Sequence, residues 1–250
     1  MDGASQRKRA AFWRTLYEEK RATWQQQGVT KFLLDNKDRI IGGKTDARVF
    51  IPLCGKAHEL KWFYDLGHRV VGVEFVEEAV RSYFIEKDLP MEEATCPITQ
   101  CKVIGTTDHR LQVFVCDIFD FKRECAGVFD IVWDRSGFTV IGVEDRARYA
   151  AVIKNLLAAD FSYGMWTIVY SMHNRDPNAR DVAADIALVD GEVYQKACAQ
   201  HCSVVGVVFM GTKVKVESAP ADVVEMVTLL PSAQCGVRIR MLLRELFILY

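Results

Sequence analysis

The stretch RVFIPLCGKAHELKWFYDLGHRVVGVE, residues 48–74, decides the fold. Its two ends, RVFIPL (48–53) and RVVGVE (69–74), are apolar runs of strand length rich in β-branched residues. Such runs read as strands buried on both faces. Between them AHELKWFYDLG (57–67) has helical spacing and closes on Gly67. Strand, helix and strand within 27 residues predict a βαβ unit and a parallel sheet.

The same alternation continues outward. VEEAVRSYFIEKDL (76–89) is helical and is followed by Pro90. QVFVCDIFDF (112–121) starts as a strand, and FDIVWD (129–134) is another. EDRARYAAVIKNLL (144–157) is a helix with its acidic residues at the front, where the helix dipole favours them. YGMWTIVYS (163–171) reads as a buried strand. Right-handed crossovers then give an α/β, doubly wound, mostly parallel Rossmann-like sheet. SVVGVVFMG (203–211) and EMVTLLP (225–231) are expected as an antiparallel C-terminal edge, and MLLRELFILY (241–250) as strand or helix. Ahead of the sheet, residues 5–27 are expected as one helix ended by Gly28, with a second from Thr30 to about Ile40. The expected organisation is a single domain over 1–250, with 1–45 as an N-terminal helical segment.

Charge and length exclude several classes. With 32 basic and 33 acidic residues the net charge is −1, so no basic excess points to nucleic acid or an acidic membrane. No apolar run reaches membrane-span length, and the first twenty residues lack a signal-peptide core. A cytoplasmic monomer is expected. None of the eight cysteines forms a Cys-x-x-Cys pair. Cys198, His201 and Cys202 lack a second ligand pair, so no metal site is expected, and the thiols read as scattered, reduced core residues. The five histidines have no triad-like neighbours, and His68, after Gly67, reads as an exposed turn residue.

In open α/β sheets ligands sit beyond the carboxyl ends of the strands. The first strand ends in PLCGK, where Gly55 lets the backbone pass close to a ligand. The second ends in Glu74, 19 residues on, where a carboxylate suits a ribose diol. A plain tight turn and a solvated strand end are the bland alternatives. A single glycine is too few for Gly-x-Gly-x-x-Gly, and no Ser or Thr follows Lys56 as a phosphate-binding loop requires. A nucleoside without a diphosphate remains, and S-adenosylmethionine fits it. Asp117, after the FVC strand, is placed either to bond an adenine amino group or to cap a helix. Trp133, Asp134 and Arg135 end the next strand at the same cleft. Arg135 either holds an anionic acceptor or pairs with Asp134 or another nearby acid.

RVFIPLCGKAHELKWFYDLGHRVVGVE, CDIFDF and FDIVWDRSGF together resemble the thiopurine S-methyltransferase family, over about residues 12–170. Trp13, Tyr17 and Trp24, followed by Gln25, echo the family's N-terminal aromatic pattern, with Tyr17 and Trp24 replacing its Trp and Phe. Beyond Ser171 the resemblance fades. It implies a class I S-adenosylmethionine-dependent methyltransferase whose N-terminal segment closes over the cofactor. Trp13, Tyr17 and Trp24 would then lie beside the cofactor, Leu53 and Gly55 at its methionine end, Glu74 at the ribose, and Asp117 and Ile118 at the adenine. Arg135 would lie near cofactor and substrate, with Trp24 also at the substrate. The implied reaction moves a methyl group to the sulfur of a small aromatic or heterocyclic thiol. Such an acceptor arrives largely ionised, so no catalytic base is expected. Alternatives are a non-catalytic S-adenosylmethionine-binding homologue, a methyltransferase for another soft nucleophile, and a nicotinamide oxidoreductase, which the single glycine disfavours.

Overall fold

Residues 3–19, 25, 27–142, 145–170, 202–212 and 225–228 are described by the computed structural model. The chain opens with helix α1 (Gly3–Glu18), then two short helices, α2 (Lys31–Asp35) and α3 (Lys37–Ile41). The central unit follows as β1 (Arg48–Ile51), α4 (His58–Asp65) and β2 (Arg69–Glu74). Next come α5 (Glu77–Glu86), β3 (Glu92–Thr95), β4 (Lys102–Gly105) and β5 (Leu111–Val115). The rest comprises α6 (Arg123–Ala126), β6 (Phe129–Arg135), α7 (Gly137–Val140), α8 (Arg146–Leu156), β7 (Leu157–Tyr170), β8 (Cys202–Thr212) and β9 (Glu225–Thr228).

The described strands form one sheet in the order β3-β4-β5-β2-β1-β6-β7-β8-β9. The five central strands, from β5 to β7, are parallel. From β1 the chain winds outward through β2, then returns to the other side of β1 at β6. That reversal puts the ligand crevice of a doubly wound sheet at the carboxyl ends of β1 and β6. β8 and β9 add the expected antiparallel edge. A second antiparallel edge, the β3–β4 hairpin, was not legible in the sequence. β3 is EEAT and mostly exposed, so it carries no apolar alternation.

Alternate residues of the central strands feed two cores. Val49, Ile51, Ile131 and Trp133 pack with Leu33, Ile40, Leu60, Phe63 and Phe84 on one face. Phe50, Val132, Phe114 and Val73 pack with Tyr149, Ile153 and Leu156 on the other. Both faces are covered, which is why these strands read as unbroken apolar runs. Gly72 is one gap in such a run. A Cβ there would stand 2.7 Å from Cys54 Sγ and 3.2 Å from Leu60 Cδ2, so only glycine lets the loop after β1 lie against β2.

Three local expectations are corrected. The first helix does not run to Gly28: it ends at Glu18, and residues 27–29 form a bend. There the chain is fixed by Thr30, whose N–H donates to Glu59 Oε1 at 3.1 Å. The segment read as one helix from Thr30 to Ile40 is two, broken at Asn36. His68 is not an exposed turn residue. It is 3% exposed, and its Nδ1 accepts the Ala47 N–H at 3.2 Å. The expected helix or strand at 241–250 lies outside the described residues.

Candidate functional site

β1 stops at Ile51 because Pro52 has no N–H to give the ladder. The chain then turns sharply, with Leu53 at φ +46 and Gly55 at φ +50. A left-handed leucine is strained, and such strain gathers at binding sites. The turn leaves the Cys54 N–H on Val73 O at 2.9 Å and the Gly55 N–H on Glu74 Oε2 at 2.9 Å. Gly55 and Glu74, paired in the sequence only by spacing, are thus in direct contact.

The Glu74 carboxylate is 8% exposed and held by backbone. Its Oε1 accepts the N–H groups of Phe75 at 2.7 Å and Val76 at 2.8 Å, while Oε2 accepts Gly55. A carboxylate offers about four acceptor sites. Three are taken, and the one left lies on Oε2. Burial pushes the Glu74 carboxyl above its ordinary value, opposed by the N–H donors of Val76, Gly55 and Phe75.

α1 reaches this point from the N-terminal side. A Cβ on Gly55 would stand 2.7 Å from the Tyr17 hydroxyl and 3.9 Å from Glu74 Oε2. Leu16 is buried, Trp13 is half-buried and packs edge-on against Phe12, and Arg14 reaches Glu78 on α5 at 3.4 Å. Trp24 lies outside the described residues.

At the end of β5, Asp117 Oδ1 accepts the Phe119 N–H at 3.0 Å; residues 118–120 are a turn and not a helix, so the expected helix cap is an Asp-closed turn instead. The Ile118 side chain is 1% exposed and belongs to the core on the α8 side. The β6 terminus is split by the pleat. Trp133 and Asp134 do not face the cleft: both are fully buried. Trp133 stacks on Phe32, and Asp134 Oδ2 accepts the hydroxyls of Tyr149 at 2.8 Å and Tyr163 at 2.9 Å. Arg135 does not pair with Asp134. Its Nε lies 3.9 Å from Glu59 Oε2, and its side chain is only 10% exposed. Ser136 follows with φ +63, a second strained residue at the same rim.

Glu59 is the residue that sequence reasoning missed. It is fully buried at the start of α4, holding Thr30 with one oxygen and facing Arg135 with the other. In HELK it looks like any acid in a first helical turn. Among the described residues no group of three His, Cys, Asp or Glu is arranged to hold a metal ion, and no helix is long and apolar enough to cross a membrane.

This geometry sits within a broader likeness. A family model described as thiopurine S-methyltransferase matches residues 8–225, well past the point where the recognisable motifs end. A probable thiopurine S-methyltransferase of Danio rerio is 36% identical over 160 residues, covering 64% of this chain and 69% of that protein. The thiopurine S-methyltransferase of Oryctolagus cuniculus is 35% identical over 196 residues, covering 76% and 77%. That of Mus spretus is 37% identical over 159 residues, covering 63% and 66%.

Proposed function

Because the chain belongs to the thiopurine S-methyltransferase family, we propose that it is an S-adenosylmethionine-dependent methyltransferase acting on the sulfur of a small aromatic or heterocyclic thiol. The bond between the Gly55 amide and Glu74 Oε2 carries this reading. It sets an oriented, buried carboxylate beside a bare stretch of backbone, at the crevice where such sheets hold nucleosides. The residues fit the cofactor: Gly55 bears no side chain, so the Tyr17 hydroxyl lies close over its backbone beside Glu74, and Glu74 keeps one acceptor site for a ribose hydroxyl. The single-glycine turn has no phosphate cradle, in keeping with a nucleoside that carries none.

When bound, S-adenosylmethionine supplies an electrophilic methyl group on a sulfonium. The protein's own part is positioning. Leu53 and Gly55 border the methionine end, Asp117 and Ile118 the adenine, and Trp13 and Tyr17 offer aromatic faces to a cation. Trp24 completes that set and borders the acceptor. Arg135, steadied by Glu59, attracts an anionic thiolate and excludes water beside it. No side chain is needed as a base for an acceptor already ionised. The proposal includes residues 1–45 as a segment that covers the cofactor, and a cytoplasmic monomer whose partner is a small thiol rather than nucleic acid. Its near-zero net charge supports the last point.

The test is transfer of labelled methyl from S-adenosylmethionine to a panel of aromatic thiols, beside calorimetric binding of S-adenosylhomocysteine. Product with aromatic thiols is expected. Tight binding without product would leave a non-catalytic binding protein, and no binding by the folded chain would refute both.

A further inference from the structure

Cys96, Cys101, Cys116 and Cys125 are not scattered. The antiparallel ladder pairs Thr95 with Lys102 and Lys102 with Val115. One step further along, Cys96 faces Cys101 and Cys101 faces Cys116, in a row across three strands. Directly opposed side chains share a face, with Cβ atoms about 4.5–5.5 Å apart. Backbone bonds fix both pairings. The Cys96 N–H donates to Cys101 O at 2.8 Å while Cys96 O accepts the Gln100 N–H at 2.9 Å, so one direct bond joins this pair where the hairpin closes. The Cys116 N–H instead donates to Glu74 O at 3.1 Å, on the side away from β4. Cys101 and Cys116 are therefore a pair without mutual hydrogen bonds, for which Cα atoms stand about 4.5 Å apart. Both separations fall in the roughly 4.4–6.8 Å range that a disulfide spans. Cys125, on α6, packs against the same core and lies beside Cys96. All four are free thiols.

We propose that this row is a redox-active site, in which Cys101 forms an intramolecular cross-strand disulfide with Cys96 or Cys116 when the protein meets a hydroperoxide. The thiols lie along a line of register instead of converging on a point, and no three of the described ligand-type residues can hold a metal ion. Pairwise chemistry is what the arrangement supports.

Cys96 is the attacking group. Burial alone would push its thiol up, but hydrogen bonds from Thr99, Ile98 and Cys125 outweigh it and bring it below the ordinary thiol value; the Thr99 hydroxyl is shared with Cys101, to whose Sγ it donates at 3.1 Å. Its thiolate sulfur takes an oxygen from hydrogen peroxide as the O–O bond breaks, and the hydroxide released takes up a proton to leave as water. The Cys101 thiol then displaces the second oxygen from the Cys96 sulfenic acid. That oxygen leaves as water with the Cys101 proton, and two electrons have passed from the dithiol to the peroxide. Cys116, next along the row, can take over the bond by thiol–disulfide exchange at Cys101. Cys96 is 2% exposed, so opening of the turn at residues 97–100 sets the rate.

The test exposes the whole native chain to hydrogen peroxide, blocks remaining thiols, and maps disulfides in unreduced peptides. Mapping is needed because Cys198, Cys202 and Cys235 are also present. A peptide pair joining Cys101 to Cys96 or Cys116 is expected, reversed by dithiothreitol and missing from Cys101→Ser. Finding Cys101 still a free thiol after oxidation of the wild type overturns the proposal. So does a Cys101→Ser chain whose Cys96 and Cys116 oxidise to one another at the wild-type rate. Should Cys101→Ser fail to fold, the wild-type map decides alone. None of these readouts uses methyl transfer, so the outcome stands apart from the activity proposed above.

Discussion

The Gly55 N–H donates to Glu74 Oε2 at 2.9 Å across 19 residues of sequence. This bond joins the turn after β1 to the tip of β2 and fixes the aim of the carboxylate. Preorganisation of this kind lowers the ordering cost of binding. It also means that Glu74 acts on both stability and recognition, and the two must be separated.

Glu74→Gln does so. The amide keeps one acceptor oxygen but loses the charge and sets an NH2 against backbone donors. Binding of S-adenosylhomocysteine, measured by calorimetry, is expected to weaken by about 1.5–3 kcal/mol, the value of a hydrogen bond to a charged group. Unchanged affinity in a folded variant would remove Glu74 from the site.

The pH dependence follows from the direction of the Glu74 shift. Its folded value is raised by burial, so the protonated form is the one folding favours. The contribution to stability is fully present below the unfolded carboxyl value and is lost as pH rises through the folded one. Melting temperature of wild type minus that of Glu74→Gln should therefore fall as pH climbs through and above the ordinary carboxylate range. Ligand binding should run the other way, strengthening as Glu74 ionises. A difference curve that rises with pH would contradict the assignment.

Gly55→Ala combines two penalties. The residue sits at φ +50, which costs an L side chain roughly 1–2 kcal/mol, and its Cβ would meet the Tyr17 hydroxyl at 2.7 Å. Adding Tyr17→Phe should restore only the steric share, leaving the backbone share in the melting temperature. Full recovery in the double variant would show that the backbone tolerates alanine there.

His68 predicts an acid-side effect. Burial lowers its value from 6.5, so the folded state keeps it neutral while the unfolded chain takes up a proton. Stability is present above about pH 6.5 and is lost as pH falls from there through the folded value. His68→Asn, which keeps an acceptor for the Ala47 N–H, should flatten urea stability as pH falls below about 6.5, relative to wild type. An unchanged slope would place the acid sensitivity elsewhere.

Much of this molecule was readable in one dimension. The mostly apolar runs at 48–53, 69–74 and 129–134 determined a parallel sheet, because such strands are buried on both faces. The single glycine of PLCGK and the acid 19 residues later determined where to look for a ligand and which phosphate-bearing ones to set aside. Tertiary structure decided the partners. Glu59 pairs with Arg135 because the start of α4 and the end of β6 meet at the same rim, and this buries an acid whose neighbours in HELK say nothing of it. Asp134 and Arg135, adjacent in the chain, part company because a strand's pleat sends consecutive side chains to opposite faces, one to two tyrosines and one to the rim. The thiol row arises the same way: three cysteines at irregular spacing meet only when β3, β4 and β5 lie in register. Register is a relation between strands, fixed by long-range packing and turn geometry, and no local stretch of sequence contains it.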